Sequence, residues 1–209
     1  MSDIVIKTLI LGKIDTNCYL VMNKKNREIL IIDPAAQAGD IENQIQKVQA
    51  IPTAILLTHG HFDHMMAAEE LKEKYHIPVY ACEQEQEVLE SAKNNLSAAW
   101  ASAYSMKADF LVSDEEELNL AGIRIVVLHT PGHTKGSICF YLSEEGILFS
   151  GDTLFAESYG RTDLLTGSMQ QMRESISRLL TILPDNTKVY PGHGQTTEIS
   201  VEKRYNPLA

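Results

Sequence analysis

Between Thr58 and His64 the chain reads Thr-His-Gly-His-Phe-Asp-His, a dense run of side chains able to bind metal. Three later turns add two imidazoles and a carboxylate: Thr130-Pro131-Gly132-His133-Thr134, Gly151-Asp152-Thr153 and Pro191-Gly192-His193-Gly194. Residues two apart in an extended segment project to one side, so His59 and His61 can grip a single ion. Asp63 and His64 are adjacent and begin the next turn, which aims them at a second ion. With His133, Asp152 and His193 the set reaches seven nitrogen or oxygen donors and contains no cysteine. That is more than one tetrahedral zinc accepts and suits two metals bridged by a carboxylate. Such ligands are compatible with zinc, manganese or iron. His76 and His129 stand outside these turns and read as structural residues.

The elements that must position these groups are legible as apolar runs. Ala54–Leu57 leads into the first histidine cluster, Ile123–His129 into His133, Ile147–Ser150 into Asp152, and Lys188–Tyr190 into His193. Strands that end in glycine-containing turns hold loop side chains rigidly, which a site requires. Ile4–Ile10, Cys18–Met22, Glu28–Ile32, Val79–Ala81 and Ser137–Leu142 also read as strands. Helices are expected over Asp40–Gln49, Met65–Tyr75, Glu83–Lys93 and Ser168–Leu183, the last with Ser168 and Gln171 as a capping box and Pro184 beyond its end. The charge run Asp114–Glu117 reads as a solvated turn or strand edge rather than a binding site. The expected organisation is one β-rich α/β domain over residues 1–209, with 83–113 as a helical insertion or lid. Within it, residues 94–110 take no assignment and suit either a cover or a subunit interface.

Composition narrows the chemistry. Lys and Arg number 18 against 28 Asp and Glu, a net charge of −10, which disfavours nucleic acid as a partner. No apolar run approaches the roughly 18 residues of a membrane helix, and no secretory signal is visible at Met1-Ser2-Asp3. Cys18, Cys82 and Cys139 are odd in number, dispersed and without a CxxC pair, so each reads as a small buried residue in a reducing, cytoplasmic setting. Oligomeric state leaves no trace in the sequence.

Taken together, these segments resemble the metallo-β-lactamase-fold hydrolases, and within them the glyoxalase II-like (hydroxyacylglutathione hydrolase-like) branch. The resemblance rests on Thr16-Asn17-Cys18-Tyr19, Ile32-Asp33-Pro34, THGHFDH at 58–64, TPGHT at 130–134, SGDTLF at 150–155, GRTD at 160–163 and PGHG at 191–194. It implies a four-layer αββα sandwich with metals at one edge of the two sheets. It further implies His59, His61 and His133 on one ion, Asp63, His64 and His193 on the other, and Asp152 bridging them with a hydroxide. Asp152 stands where the best-known secreted β-lactamases carry a cysteine, which argues against antibiotic hydrolysis. Arg161 falls where the glyoxalase II branch places a substrate-contacting lysine, and Asp163 where it places a substrate-binding tyrosine. Only Gly194–Ala209 follow the last histidine, so the helical thiol-binding region of that branch is not expected here.

The reaction so implied is hydrolysis of a small thioester, such as an S-2-hydroxyacyl thiol, by hydroxide shared between two divalent ions, zinc first among the candidates. Asp63 and Asp152 are then catalytic as well as ligating, and Arg161 binds substrate. A thiol leaves with a pKa of about 8.5 and needs little acid assistance, which fits the lack of a dedicated general acid. The alternative within the same fold is a mononuclear iron persulfide dioxygenase, which the resemblance supports through HxHxDH and GRTD. Its iron would rest on His59, His133 and Asp152. A third reading, a silent scaffold stapled by metal, needs fewer donors than the seven present.

Overall fold

The computed structural model describes residues 3–209. Two six-stranded sheets form its centre. The first runs in sequence order: β1 (Ile4–Leu11), β2 (Thr16–Asn23), β3 (Glu28–Ile32), β4 (Ile51–Leu56), β5 (Val79–Cys82) and β6 (Phe110–Val112). Its first three strands are antiparallel, and from β3 onward the pairings are parallel. The parallel crossovers carry α1 (Ala38–Lys47), then α2 (Phe62–Met65) with α3 (Ala68–Tyr75), and finally α4 (Gln86–Leu89) with α5 (Ser97–Trp100). The second sheet comprises β7 (Glu117–Leu120), β8 (Ile123–His129), β9 (Ile138–Leu142) and β10 (Ile147–Gly151). A hairpin, β11 (Leu154–Phe155) with β12 (Ser158–Tyr159), and α6 (Met169–Ile182) then lead to β13 (Lys188–Pro191). Strand β13 lies parallel to β10, and β14 (Thr197–Glu198) and α7 (Ile199–Tyr205) complete the chain.

Alternation along the strands explains the layering. In β2 and β3, Tyr19, Val21, Leu30 and Ile32 face the second sheet and meet Ile125, Val127, Phe140 and Phe149. Their neighbours Cys18, Leu20, Ile29 and Ile31 face outward, onto Ile41, Ile45 and Leu71 of the helices. On the far side, α6 lays Met172, Ile176 and Leu179 over Leu128, Cys139 and Leu148. Each such side chain removed from water contributes about 2 kcal/mol, an upper figure because unfolded chains are already partly collapsed. Helix–sheet–sheet–helix is the resulting architecture, the expected αββα sandwich.

Several boundaries differ from the sequence reading. The helix expected over Met65–Tyr75 is two pieces, broken at Met66 and Ala67, because the first turn belongs to the histidine loop. Glu83–Lys93 yields only a 3-10 turn, Glu83–Glu85, running into the four residues of α4, with Glu85, Val88 and Leu89 buried along one face. Strands β6 and β7, the β11–β12 hairpin, β14 and α7 are too short or too polar to stand out as apolar runs. The Ser168 cap holds, its hydroxyl accepting from the Gln171 N–H. All three cysteines are free and buried. No helix among the described residues is long and apolar enough to cross a membrane.

Candidate metal centre

The four turns meet at one edge of the sandwich. His59, His61, Asp63 and His64 follow β4 into α2, His133 lies between β8 and β9, Asp152 follows β10, and His193 follows β13. Candidate ligand atoms of His59, His61 and His133 lie within 4.8 Å of one another, and the same holds for His59, His64 and Asp152 and for Asp63, His64 and His193. All seven predicted donors are therefore brought together. Arg161 lies beside them in the wall of a cavity of about 380 Å³ that opens onto Asp63, His133, Asp152 and His193.

Asp152 occupies the middle. Its Oδ1 lies 3.4 Å from His64 Nε2, while its Oδ2 lies 3.5 Å from His133 Nε2 and 3.6 Å from His193 Nε2. Asp63 Oδ2 is 3.3 Å from both His64 Nε2 and His193 Nε2, and accepts from the Thr16 hydroxyl at 3.0 Å. Two donors that each sit about 2 Å from a shared tetrahedral cation lie about 3.3 Å apart, so these gaps are of the size an ion fills. Four buried polar atoms of the cluster, His59 Nε2, His61 Nε2, His64 Nε2 and Asp152 Oδ1, lack a hydrogen-bond partner. Buried polar atoms are seldom left so, and their concentration here fits a cation-binding role.

Neighbouring groups set which nitrogen of each ring faces the cluster. His133 Nδ1 donates to the Arg161 carbonyl at 2.8 Å, leaving Nε2 for the centre. His64 Nδ1 donates to Asp33 Oδ2 at 2.9 Å. Thr58 joins the same carboxylate, through its backbone N–H at 2.8 Å and its hydroxyl at 2.7 Å, and its hydroxyl oxygen lies 3.2 Å from His59 Nδ1. One buried aspartate thus orients two of the imidazoles. Asp33 takes a left-handed backbone, φ 49°, which aspartate tolerates better than most residues.

Charge divides the imidazoles. Burial, assisted by neighbouring rings, pushes His59 well below its ordinary pKa and His61 down to about 3. Burial acts the same way on His64, but Asp63, Asp152 and Asp33 outweigh it and hold His64 well above the ordinary value. His193 is likewise raised, because a hydrogen bond to Asp63 and the charge of Asp152 overcome its burial. For the carboxylates burial works upward and loses to the imidazoles: Asp152 is held at about 2 and Asp63 well below its usual range.

Three groups escaped the sequence reading. Asp33 and Thr16 lie inside quoted segments without an assigned role. Glu85, fully buried, accepts from the Gly60 N–H (2.8 Å), the Gly136 N–H (2.9 Å) and the Thr134 hydroxyl (2.9 Å), tying the loop of His59 and His61 to the turn of His133. Asp33, at a strand end before proline, offered a hint; Glu85, inside an acidic run, offered none. His76 caps a helix and His129 Nε2 donates to the Lys135 carbonyl, both outside the cluster.

With this geometry in place, likeness to known proteins assigns the class. Residues 11–193 match the Metallo-beta-lactamase superfamily, and the chain belongs to it. The probable metallo-hydrolase YqgX of Bacillus subtilis is 37% identical, over 94% of this chain and 93% of its own. The hydroxyacylglutathione hydrolase GloC of Haemophilus influenzae is 32% identical over 92% of each. Among solved structures, the BLEG-1 B3 metallo-β-lactamase superposes with a TM-score of 0.91 at 38% identity, covering 98% of this chain and 99% of that one. TTHA1623 in a di-iron-bound form gives 0.86 at 34%, covering 97% and 100%. The protein is a metallo-hydrolase of this superfamily with a His/Asp centre suited to divalent metals.

Proposed function

We propose that the protein hydrolyses a small thioester at a pair of divalent ions, zinc being the first candidate. The observation that carries this is Asp152, whose carboxylate lies within reach of donors from both sets, Oδ2 beside His133 and His193 and Oδ1 beside His64. His59, His61 and His133 would hold one ion, and Asp63, His64 and His193 the other. Such a pair, when bound, supplies water ionised near neutral pH and electrophilic pull on the substrate carbonyl. The protein's part is to hold Asp63 and Asp152 ionised, to fix the imidazoles through Asp33, Thr58 and the Arg161 carbonyl, and to place the substrate in the cavity. Within segment 83–113, the stretch around Asn95–Trp100 serves as its cover, while Phe110–Val112 is strand β6: Leu96 and Trp100 line the cavity, and the Phe62 N–H donates to the Asn95 carbonyl at 2.9 Å. The thiol leaves as thiolate unaided. The thioester reading draws support from GloC, whose name carries a thioester substrate. We further read the domain as single, its substrate as a small molecule, and neither nucleic acid nor membrane as its partner.

Asp152→Ala is expected to lose both bound metal and thioesterase activity, measured by elemental analysis and by thiol release. A fully metallated, active variant contradicts the bridge. The second reading, a mononuclear iron persulfide dioxygenase, draws on the GRTD segment and on the likeness to ETHE1 of Myxococcus xanthus, with a TM-score of 0.79 at 30% identity over 97% of this chain and 83% of that one. One iron per chain with oxygen uptake on a persulfide favours it. Turnover of a β-lactam but of no thioester overturns both.

A further inference from the structure

We infer that the substrate's larger arm is apolar and uncharged, an alkyl or aryl group that packs on Trp100, and that an anionic peptide-like carrier is not what this cavity selects. This rests on the thioester reading above. Beyond the candidate ligands, the cavity wall consists of Ile14, Phe62, Leu96, Trp100, Phe155 and Leu164, with Arg161 as its one guanidinium or ammonium among the described residues. Ile14 and Trp100 are 48% and 67% exposed, apolar surface that a ligand can cover at the mouth of a polar centre.

Arg161 does not offset this character. Its Nε and Nη2 each donate to Asp163 at 2.8 Å, a bidentate pair that presents no net charge to a ligand. A carboxylate arriving there meets the Asp163 charge as well as the guanidinium. Apart from the ions of the proposed centre, which the reacting acyl group engages, a carrier with several charges would lose water on entry and find no unpaired side-chain cation in exchange, whereas an apolar arm gains from leaving water. The turn that carries Trp100 is pinned through its backbone: the Trp100 N–H donates to the Leu96 carbonyl at 3.1 Å, and Asn95 Nδ2 donates to the Tyr104 carbonyl at 2.8 Å.

The test compares lactoyl thioesters of benzyl mercaptan and of glutathione on the metal-loaded protein. The benzyl ester is expected to have the higher kcat/KM, by about tenfold or more, the range a differing apolar contact supplies. Trp100→Ala should collapse this preference, and Asp163→Asn, by freeing Arg161, should shift it toward glutathione. Trp100 is the only tryptophan, so fluorescence gives a second readout: the benzyl ester should perturb emission at concentrations where the glutathione ester does not. A wild-type preference for the glutathione ester overturns the inference and leaves the thioesterase reading standing. Hydrolysis of neither ester overturns the thioesterase reading, and the fluorescence comparison then decides the inference by itself.

Discussion

A histidine becomes a useful ligand only when its neighbours settle its proton, and here they do so in two ways. His59 and His61 are kept neutral by burial, with His61 pushed down to about 3, whereas His64 and His193 are raised by the carboxylates around them. An ion entering the set of Asp63, His64 and His193 must displace protons, and lowering the pH opposes it. An ion on His59, His61 and His133 meets no such competition from His59 or His61. Dialysis stepped from about pH 8 to about pH 6 should therefore release one ion per chain before the other, as read by elemental analysis. Simultaneous loss contradicts the assignment. Glu85 supplies a second prediction. Burial raises its pKa to about 7 despite three donors, so its protonated form favours folding below the unfolded value of 4.5, and that contribution is lost as pH rises to 7. Glu85→Gln cannot titrate. The stability margin of the parent protein over this variant, from urea unfolding, should shrink by about 3 kcal/mol across that window.

At the scale of elements, each ligand sits where a strand stops, and the element that follows fixes the stop. Helix α6 holds the His133 turn: the Ser168 N–H donates to the Gly132 carbonyl at 2.8 Å, and the Ser175 hydroxyl donates to the Pro131 carbonyl at 2.7 Å. Gly132 takes φ 146°, and a Cβ there would lie 2.5 Å from the Met172 backbone, so no other residue fits. Gly192 is required for a different reason, since its Cβ would lie 2.2 Å from Asp152 Oδ1 and 2.7 Å from His64 Cε1. Gly192→Ala is expected to lower metal content and activity together while leaving the far-ultraviolet circular dichroism unchanged. A variant with full metal content shows that the turn can yield. These turns were legible because glycine, proline and histidine stand out against apolar runs such as Ile123–His129. The supports were less so. Asp33 and Glu85 act through contacts across 25 residues or more, to Thr58 and to Gly60 and Thr134, and no local spacing reveals such a partner. Segment 94–110 stayed unread because its order comes from polar links such as Asn95 to Tyr104 rather than from apolar periodicity.

Across the whole molecule, the centre lies on the seam between the two sheets. The first sheet delivers His59, His61, Asp63 and His64, and the second delivers His133, Asp152 and His193. Beneath the cluster the seam is sewn by β2: the Asn17 N–H donates to the Gly192 carbonyl at 2.8 Å, Asn17 Nδ2 to the Pro191 and Gly194 carbonyls at 3.0 Å, and the Tyr19 hydroxyl to Pro191 at 2.6 Å. Each half also carries its own apolar core against its helices, so metal is not needed to define the fold. Ions that bind only the folded chain still add stability, about 4 kcal/mol for one present at a thousandfold its dissociation constant. For a chain of this length, chelation should then lower Tm by on the order of 10 °C, with a single cooperative transition retained. Asn17→Ala removes the side-chain stitches to the His193 turn while keeping the backbone and tyrosine ones. It should cost about 1 kcal/mol, the net worth of the amide hydrogen bonds lost, since the Pro191 carbonyl keeps the Tyr19 hydroxyl and Gly194 is exposed to water. If the seam and the ions hold the same boundary, the loss in Tm on chelation will differ between Asn17→Ala and the parent protein. Identical losses in the two proteins would show that the ions stabilise each sheet separately.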